Sequence, residues 1–223
     1  MKQLSVLAAS IFLATSAQSD TVSFSFSNSL QNTEIFQSGS LGLFNLDLGT
    51  LNSATLNLGA NSAGTISLTL GGSSPTTVAG TSSIELDFSS SLAGLQTILD
   101  GDSPDIVLSM TTGALSLNPG QTVTVSGLTD NDTRVLNLST LLNTVSQQGG
   151  GQFDVGCFSL TGFSITGGGG FASGGPLSTQ AACGAQIVYD YTPRGTPVPE
   201  PTSLALVGLA LAGIGAASRR RRA

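Results

Sequence analysis

From Thr21 onward, apolar and polar residues alternate along the chain. Val22-Ser23-Phe24-Ser25-Phe26 sets the pattern, and it recurs at Phe44-Leu46-Leu48, Ala54-Leu56-Leu58, Ile66-Leu68-Leu70 and Ile84-Leu86-Phe88. A period of two places the apolar set on one face and Ser, Thr, Asn and Asp on the other, which predicts half-buried antiparallel strands. Further strands are predicted at Ile106–Met110, Thr122–Val125, Arg134–Leu138, Phe158–Ile165 and Gln186–Tyr191. Turn-forming residues punctuate them at Gly49-Thr50, Gly71-Gly72-Ser73-Ser74-Pro75, Gly101-Asp102-Ser103-Pro104, Asn118-Pro119-Gly120 and Asp130-Asn131-Asp132. About ten short strands at this spacing make an all-β fold, an antiparallel β-sandwich of jelly-roll or Ig-like kind. Leu92, Leu95, Ile98 and Leu99, and likewise Leu138, Leu141, Leu142 and Val145, recur every three or four residues, predicting two short helices across one end of the sandwich. Gln147–Gly151 and Gly167–Gly175 are glycine-rich and are expected to loop over the surface.

The two ends follow a different period. Lys2, the apolar segment Leu4–Leu13 and the small residues Ala14, Ser16, Ala17 and Ser19 make residues 1–19 a secretory signal peptide, cut close to Ala17–Ser19. Residues 20–193 form the body and 194–198 a linker. Leu204–Ala217 then runs without a charge and would extend roughly 21 Å as a helix. Lengthened to about residues 202–218, it reaches the lower limit for a transmembrane helix, roughly 17 residues. Arg219, Arg220, Arg221 and Arg222 cannot enter hydrocarbon and act as a membrane stop on the cytoplasmic side, with the body outside. Pro199 and Pro201 keep the chain around Glu200 extended, unpaired and accessible to an enzyme, unless they merely begin the helix of an ordinary anchor.

The order Pro199-Glu200-Pro201, short apolar helix, terminal arginine cluster resembles the PEP-CTERM sorting signal of Gram-negative bacteria. The resemblance implies that residues 199–223 are a substrate segment for an exosortase, a membrane protease-transpeptidase. It makes Pro199, Glu200 and Pro201 recognition residues for that enzyme. Residues 44–193 carry a second resemblance. Phe44-Asn45-Leu46-Asp47-Leu48-Gly49-Thr50-Leu51-Asn52-Ser53-Ala54-Thr55-Leu56 is similar to the opening of the choice-of-anchor E domain, and Ala185–Pro193, with Tyr189 and Tyr191, to its closing strand. That implies an exported β domain of unknown activity.

Composition narrows the chemistry. Charged residues are 9% of the chain, against ~25% in ordinary soluble domains, so Ser, Thr, Asn and Gln must supply solubility. Between residues 18 and 198 two arginines face twelve acids, a net charge of −10, which repels phosphate backbones and excludes nucleic acid as a partner. After signal removal the body has neither His nor Lys, which removes the base that Ser or Cys nucleophiles need. Glu85 with Asp87, or Asp100 with Asp102, could support glycoside hydrolysis, but the sequence offers no Trp and few aromatic platforms. Asp100, Asp102 and Asp105 sit on a Gly/Pro turn that could converge oxygens on calcium, with Asp130-Asn131-Asp132 a second such cluster; Asx turns explain both without metal. Cys157 and Cys183 are the two cysteines, and in an oxidising periplasm they are expected to pair, the alternatives being free thiols or an intermolecular bond. The reading is a non-enzymatic structural or adhesive protein of the surface or extracellular matrix, with exosortase, inner-membrane lipid and extracellular polysaccharide as partners. A secreted carbohydrate- or calcium-binding module is the alternative.

Overall fold

A computed structural model describes residues 19–101, 105–194 and Gly208. Eleven strands form two facing sheets. The first has the order β1 (Asp20–Ser27), β11 (Ala172–Pro193), β4 (Gly49–Leu70), β8 (Thr122–Asn137), with β2 (Gln31–Asn32) also on β11. The second runs β6 (Ile106–Thr111), β5 (Thr76–Ser90), β10 (Gly151–Gly167), β3 (Phe36–Asn45), β9 (Ser146–Gln147), with β7 (Leu115–Leu117) on β5. The pairing is antiparallel except for the two-residue β9, which lies parallel to β3.

The predicted sandwich is present, but its strands are not short. β4 and β11 have 22 residues each, and β5, β8 and β10 have 15, 16 and 17. The two strands predicted at residues 54–58 and 66–70 are one strand, because Ala60 and Ser62 continue the inward phase with small side chains between Leu58 and Ile66. Asp130-Asn131-Asp132, read as a turn, lies inside β8 opposite Asn61. Ala172–Gly175, read as loop, pairs with β4. Phe44-Leu46-Leu48, read as strand, is instead the end of β3 and a tight turn into β4, closed by the Leu48 N–H donating to the Asn45 carbonyl at 3.1 Å.

The helix expected near Leu95 is α1 (Ala93–Leu99), which buries Leu95 and Leu99. Residues 138–145 form a single 3-10 turn at Ser139–Leu141 and a following turn, still burying Leu138 and Val145. Both cap the end of the core where β11 finishes, and Gly94 of α1 faces Leu141 closely enough that a Cβ there would sit 3.1 Å from it.

Inward residues of both sheets, including Leu41, Phe44, Leu56, Leu58, Ile84, Leu86, Val155 and Ile187, make one continuous core, and Ile66, Leu68, Leu70, Val78 and Leu117 a second at the opposite end. The two sheet margins are closed differently. On one side Phe24 and Phe26 of β1 lie flat on Gly42 and Gly39 of β3, where any Cβ would overlap the rings. On the other, Arg134 of β8 forms an ion pair with Asp105 ahead of β6, and the Ser109 N–H donates to the Asp130 carboxylate at 2.6 Å.

Among the described residues no helix is long and apolar enough to cross a membrane. Residues 1–18 of the predicted signal peptide and, Gly208 apart, the predicted span at 202–218 fall outside them.

Candidate functional site

Cys157 on β10 and Cys183 on β11 are joined, with 6.6 Å between their Cα atoms. Both side chains are buried, and the bond links one sheet covalently to the other. It therefore crosses the core rather than closing a surface loop. By loop entropy it stabilises the fold by about 3 kcal/mol, and it belongs to an oxidising compartment.

A cleft of about 440 Å³ opens on the outer face of the second sheet. Strand register builds it: Phe36 of β3 lies opposite Phe158 of β10, which lies opposite Asp87 of β5. Since Ile35, Cys157, Leu86 and Phe88 point inward, Phe36, Phe158 and Asp87 must point out. Phe36 is 83% exposed and Phe158 40%. In the next row Leu160, Glu85 and Val107 stand abreast, with Leu160 and Val107 each 48% exposed.

The far wall is α1 and its exit. Gln96 is fixed from both ends, accepting from the Ser90 N–H at 2.7 Å and donating to the Asp100 carboxylate at 2.6 Å. Asp105 lies beneath, its side chain 1% exposed, paired with Arg134 and accepting from the Phe88 N–H at 2.6 Å. Of the residues read as a calcium turn, Asp100 and Asp105 thus border one cleft and Asp102 falls outside the described residues. Asp130 and Asp132 lie on β8 instead. Glu85 and Asp87 share the outer face with the two phenylalanines, as the alternation of β5 required. No group of three or more His, Cys, Asp or Glu able to hold a metal occurs among the described residues.

The scarcity of aromatic platforms expected from the sequence overlooks the exposed Phe36 and Phe158. Their signal was present: in Cys157-Phe158-Ser159-Leu160 the apolar residues fall on both phases, so one pair had to face water.

The fold and its crosslink define a β-sandwich stapled for an oxidising environment. Residues 197–222 match the PEP-CTERM protein-sorting motif. That motif is a substrate signal for exosortase and marks a chain for export and processing at the cell envelope. Pro199, Glu200, Pro201 and Arg219–Arg222 lie within the matched segment and outside the described residues. None of the curated proteins compared matches the chain. Among solved structures, dimeric latent PorU from Porphyromonas gingivalis aligns at TM-score 0.27 and 8% identity, covering 78% of this chain and 13% of that one. The tobacco streak virus coat protein dimer aligns at TM-score 0.23 and 12% identity over 81% and 93% of the two chains. The mud crab tombus-like virus aligns at 0.23 and 8% over 86% and 89%.

Proposed function

We propose that this chain is a non-enzymatic structural or adhesive protein of the cell surface or extracellular matrix. Residues 202–218 hold it first in the inner membrane, the arginines inside and the body in the periplasm, until an exosortase removes the tail. The PEP-CTERM motif at residues 197–222 carries the reading. A crosslinked body without His or Lys supports it, since such a body suits exposure outside the cell better than acid–base chemistry. On its resemblance, the body is a choice-of-anchor E type domain. Intact mass of the protein from cells with and without exosortase tests the proposal. The chain should end near Pro199 only where the enzyme is present; a mature chain still ending in Arg219–Arg222 beside an active exosortase overturns it.

The cleft of Phe36 and Phe158 favours the binding-module variant of the same reading, with extracellular polysaccharide as the partner. Calcium at Asp100, Asp102 and Asp105 is tested by titration calorimetry with and without Asp100→Ala; heat that vanishes in the variant supports it and silence at millimolar calcium rejects it.

A further inference from the structure

The margins of the two sheets are finished unequally. β8 ends its sheet with Asp130, Asp132 and Arg134 and is tied to β6 through the Arg134–Asp105 pair and the Ser109 N–H on Asp130. β6 is six residues long, and β9, beyond β3, has two. Charge, side-chain ties and shortness keep a sheet edge from recruiting another strand. β1 is eight residues long, pairs with β11 on one side and has no ladder partner on the other among the described residues. From Thr21 to Ser27 it carries neither a charge nor a proline.

Two hydrogen bonds fix which backbone groups reach that edge. The Asn28 N–H donates to the Cys183 carbonyl at 3.0 Å, continuing the ladder with β11, while the Thr21 N–H turns to the Asp20 carboxylate at 2.8 Å. Neighbouring residues of a strand direct their N–H and C=O groups to opposite sides. The even-numbered residues therefore bond β11, and Thr21, Ser23, Ser25 and Ser27 present theirs at the open edge. Side chains divide the same way between faces: Val22, Phe24 and Phe26 turn toward the core, with Phe24 still 37% exposed, and the hydroxyl residues turn out.

The polarity of this edge reads the same in both directions about Phe24. Two antiparallel copies with Phe24 opposite Phe24 set Val22 against Phe26, Ser23 against Ser25, Thr21 against Ser27 and Asp20 against Asn28. Apolar side chains then meet on one face and hydroxyls on the other, and every edge-facing residue meets another, as the exchange of ladder bonds requires. Centring on Ser23 would put Asp20 opposite Phe26, and centring on Ser25 would put Val22 opposite Asn28. In the Phe24 register the acid meets an amide, so no two carboxylates of β1 face each other. We propose that β1 is a self-association edge, through which two copies of this chain join their first sheets into one continuous sheet centred on Phe24. The pairing is a property of the body, separate from tail removal and from any ligand.

The test uses the full-length chain in detergent at about 100 μM. Sedimentation equilibrium should show a dimer that Ser25→Ala keeps and Ser25→Pro weakens at least about tenfold, because proline removes an edge-facing N–H and no bond to β11. Both variants retain the tail, so their difference isolates β1 from association through other segments. Register is read by mixing differently tagged Ser23→Cys and Ser25→Cys chains under oxidising conditions. They should crosslink to each other more than to themselves, since Cα atoms of a bonded pair lie about 5.5 Å apart and those of like positions about 7–8 Å. Both serines are exposed, so these variants read the seam without threatening the fold. A monomer, a dimer equally stable in Ser25→Pro, or crosslinks between like positions as abundant as the mixed one overturns the proposal.

Discussion

The hydroxyl of Tyr189 donates to the backbone carbonyl of Gly42 at 2.8 Å, joining the central strand of one sheet to the opposite sheet inside a fully buried environment. Phe24 meets the same tyrosine edge-on at 6.2 Å and Phe44 tilts over it at 5.7 Å. Replacing Tyr189 by Phe keeps the ring and strands the Gly42 carbonyl, so it should cost about 1–3 kcal/mol, read from urea denaturation.

The same phenol predicts an alkaline limit. Burial pushes the Tyr189 hydroxyl well above its usual range, a Phe44 backbone contact pulling weakly the other way. Tyr191 is raised too, by desolvation first and then by the charge of Asp20 and the hydrogen bond to it. A proton held more tightly in the fold than in the unfolded chain leaves stability intact below the ordinary tyrosine value of ~10 and erodes it above. Urea midpoints should therefore be flat to about pH 9.5 and fall beyond it, with a shallower fall in Tyr189→Phe.

Removing the crosslink with Cys157→Ala and Cys183→Ala should lower stability by about 3 kcal/mol. Both sulfurs are buried between the sheets, so thiol labelling of the oxidised native protein should give no adduct, and reduction should require unfolding.

Arg134→Met should destabilise the chain by about 3–5 kcal/mol, because it leaves the Asp105 carboxylate enclosed with its cation removed. Arg134→Met combined with Asp105→Asn should be less harmful than Arg134→Met alone. A double-mutant cycle in guanidinium reads the difference.

Two glycines of β3 should differ in tolerance. At Gly39 a Cβ meets the root of the Phe26 ring, at Cγ, which cannot swing aside. At Gly42 it meets the tip of Phe24, 2.6 Å away, and that ring is partly exposed and able to move. Gly39→Ala should therefore cost the upper part of the roughly 1–3 kcal/mol range for overpacking, and Gly42→Ala the lower part. Limited proteolysis should release β1 sooner in Gly39→Ala.

The alternation of β1, β5 and the end of β11 was legible because large apolar residues mark every second position. It failed where small ones do so: Ala60 and Ser62 hold the inward phase of β4 yet carry too little apolar area to register as strand, and residues 172–175 pair although three of them are Ser or Gly. Asp130–Asp132 has turn chemistry and became strand because β4 offered a full ladder opposite it. In the cleft, Asp87 and Asp100 could be found as acids, but nothing local brings Phe36 beside Phe158. That pairing depends on register between strands more than 100 residues apart in the chain.

Asp20 pairs with Tyr191, so the body begins and ends at the same pole, while β11 runs roughly 70 Å to the other. A pull on the tail enters through Pro193 along the axis of a strand flanked on both sides. Ladder bonds lie across that axis, so they would resist together in shear rather than peel one by one. The sulfur bridge at Cys183 passes part of the load into the second layer. Such a body would behave as a stiff strut under tension, rupturing at forces well above those that unzip a sheet from its edge.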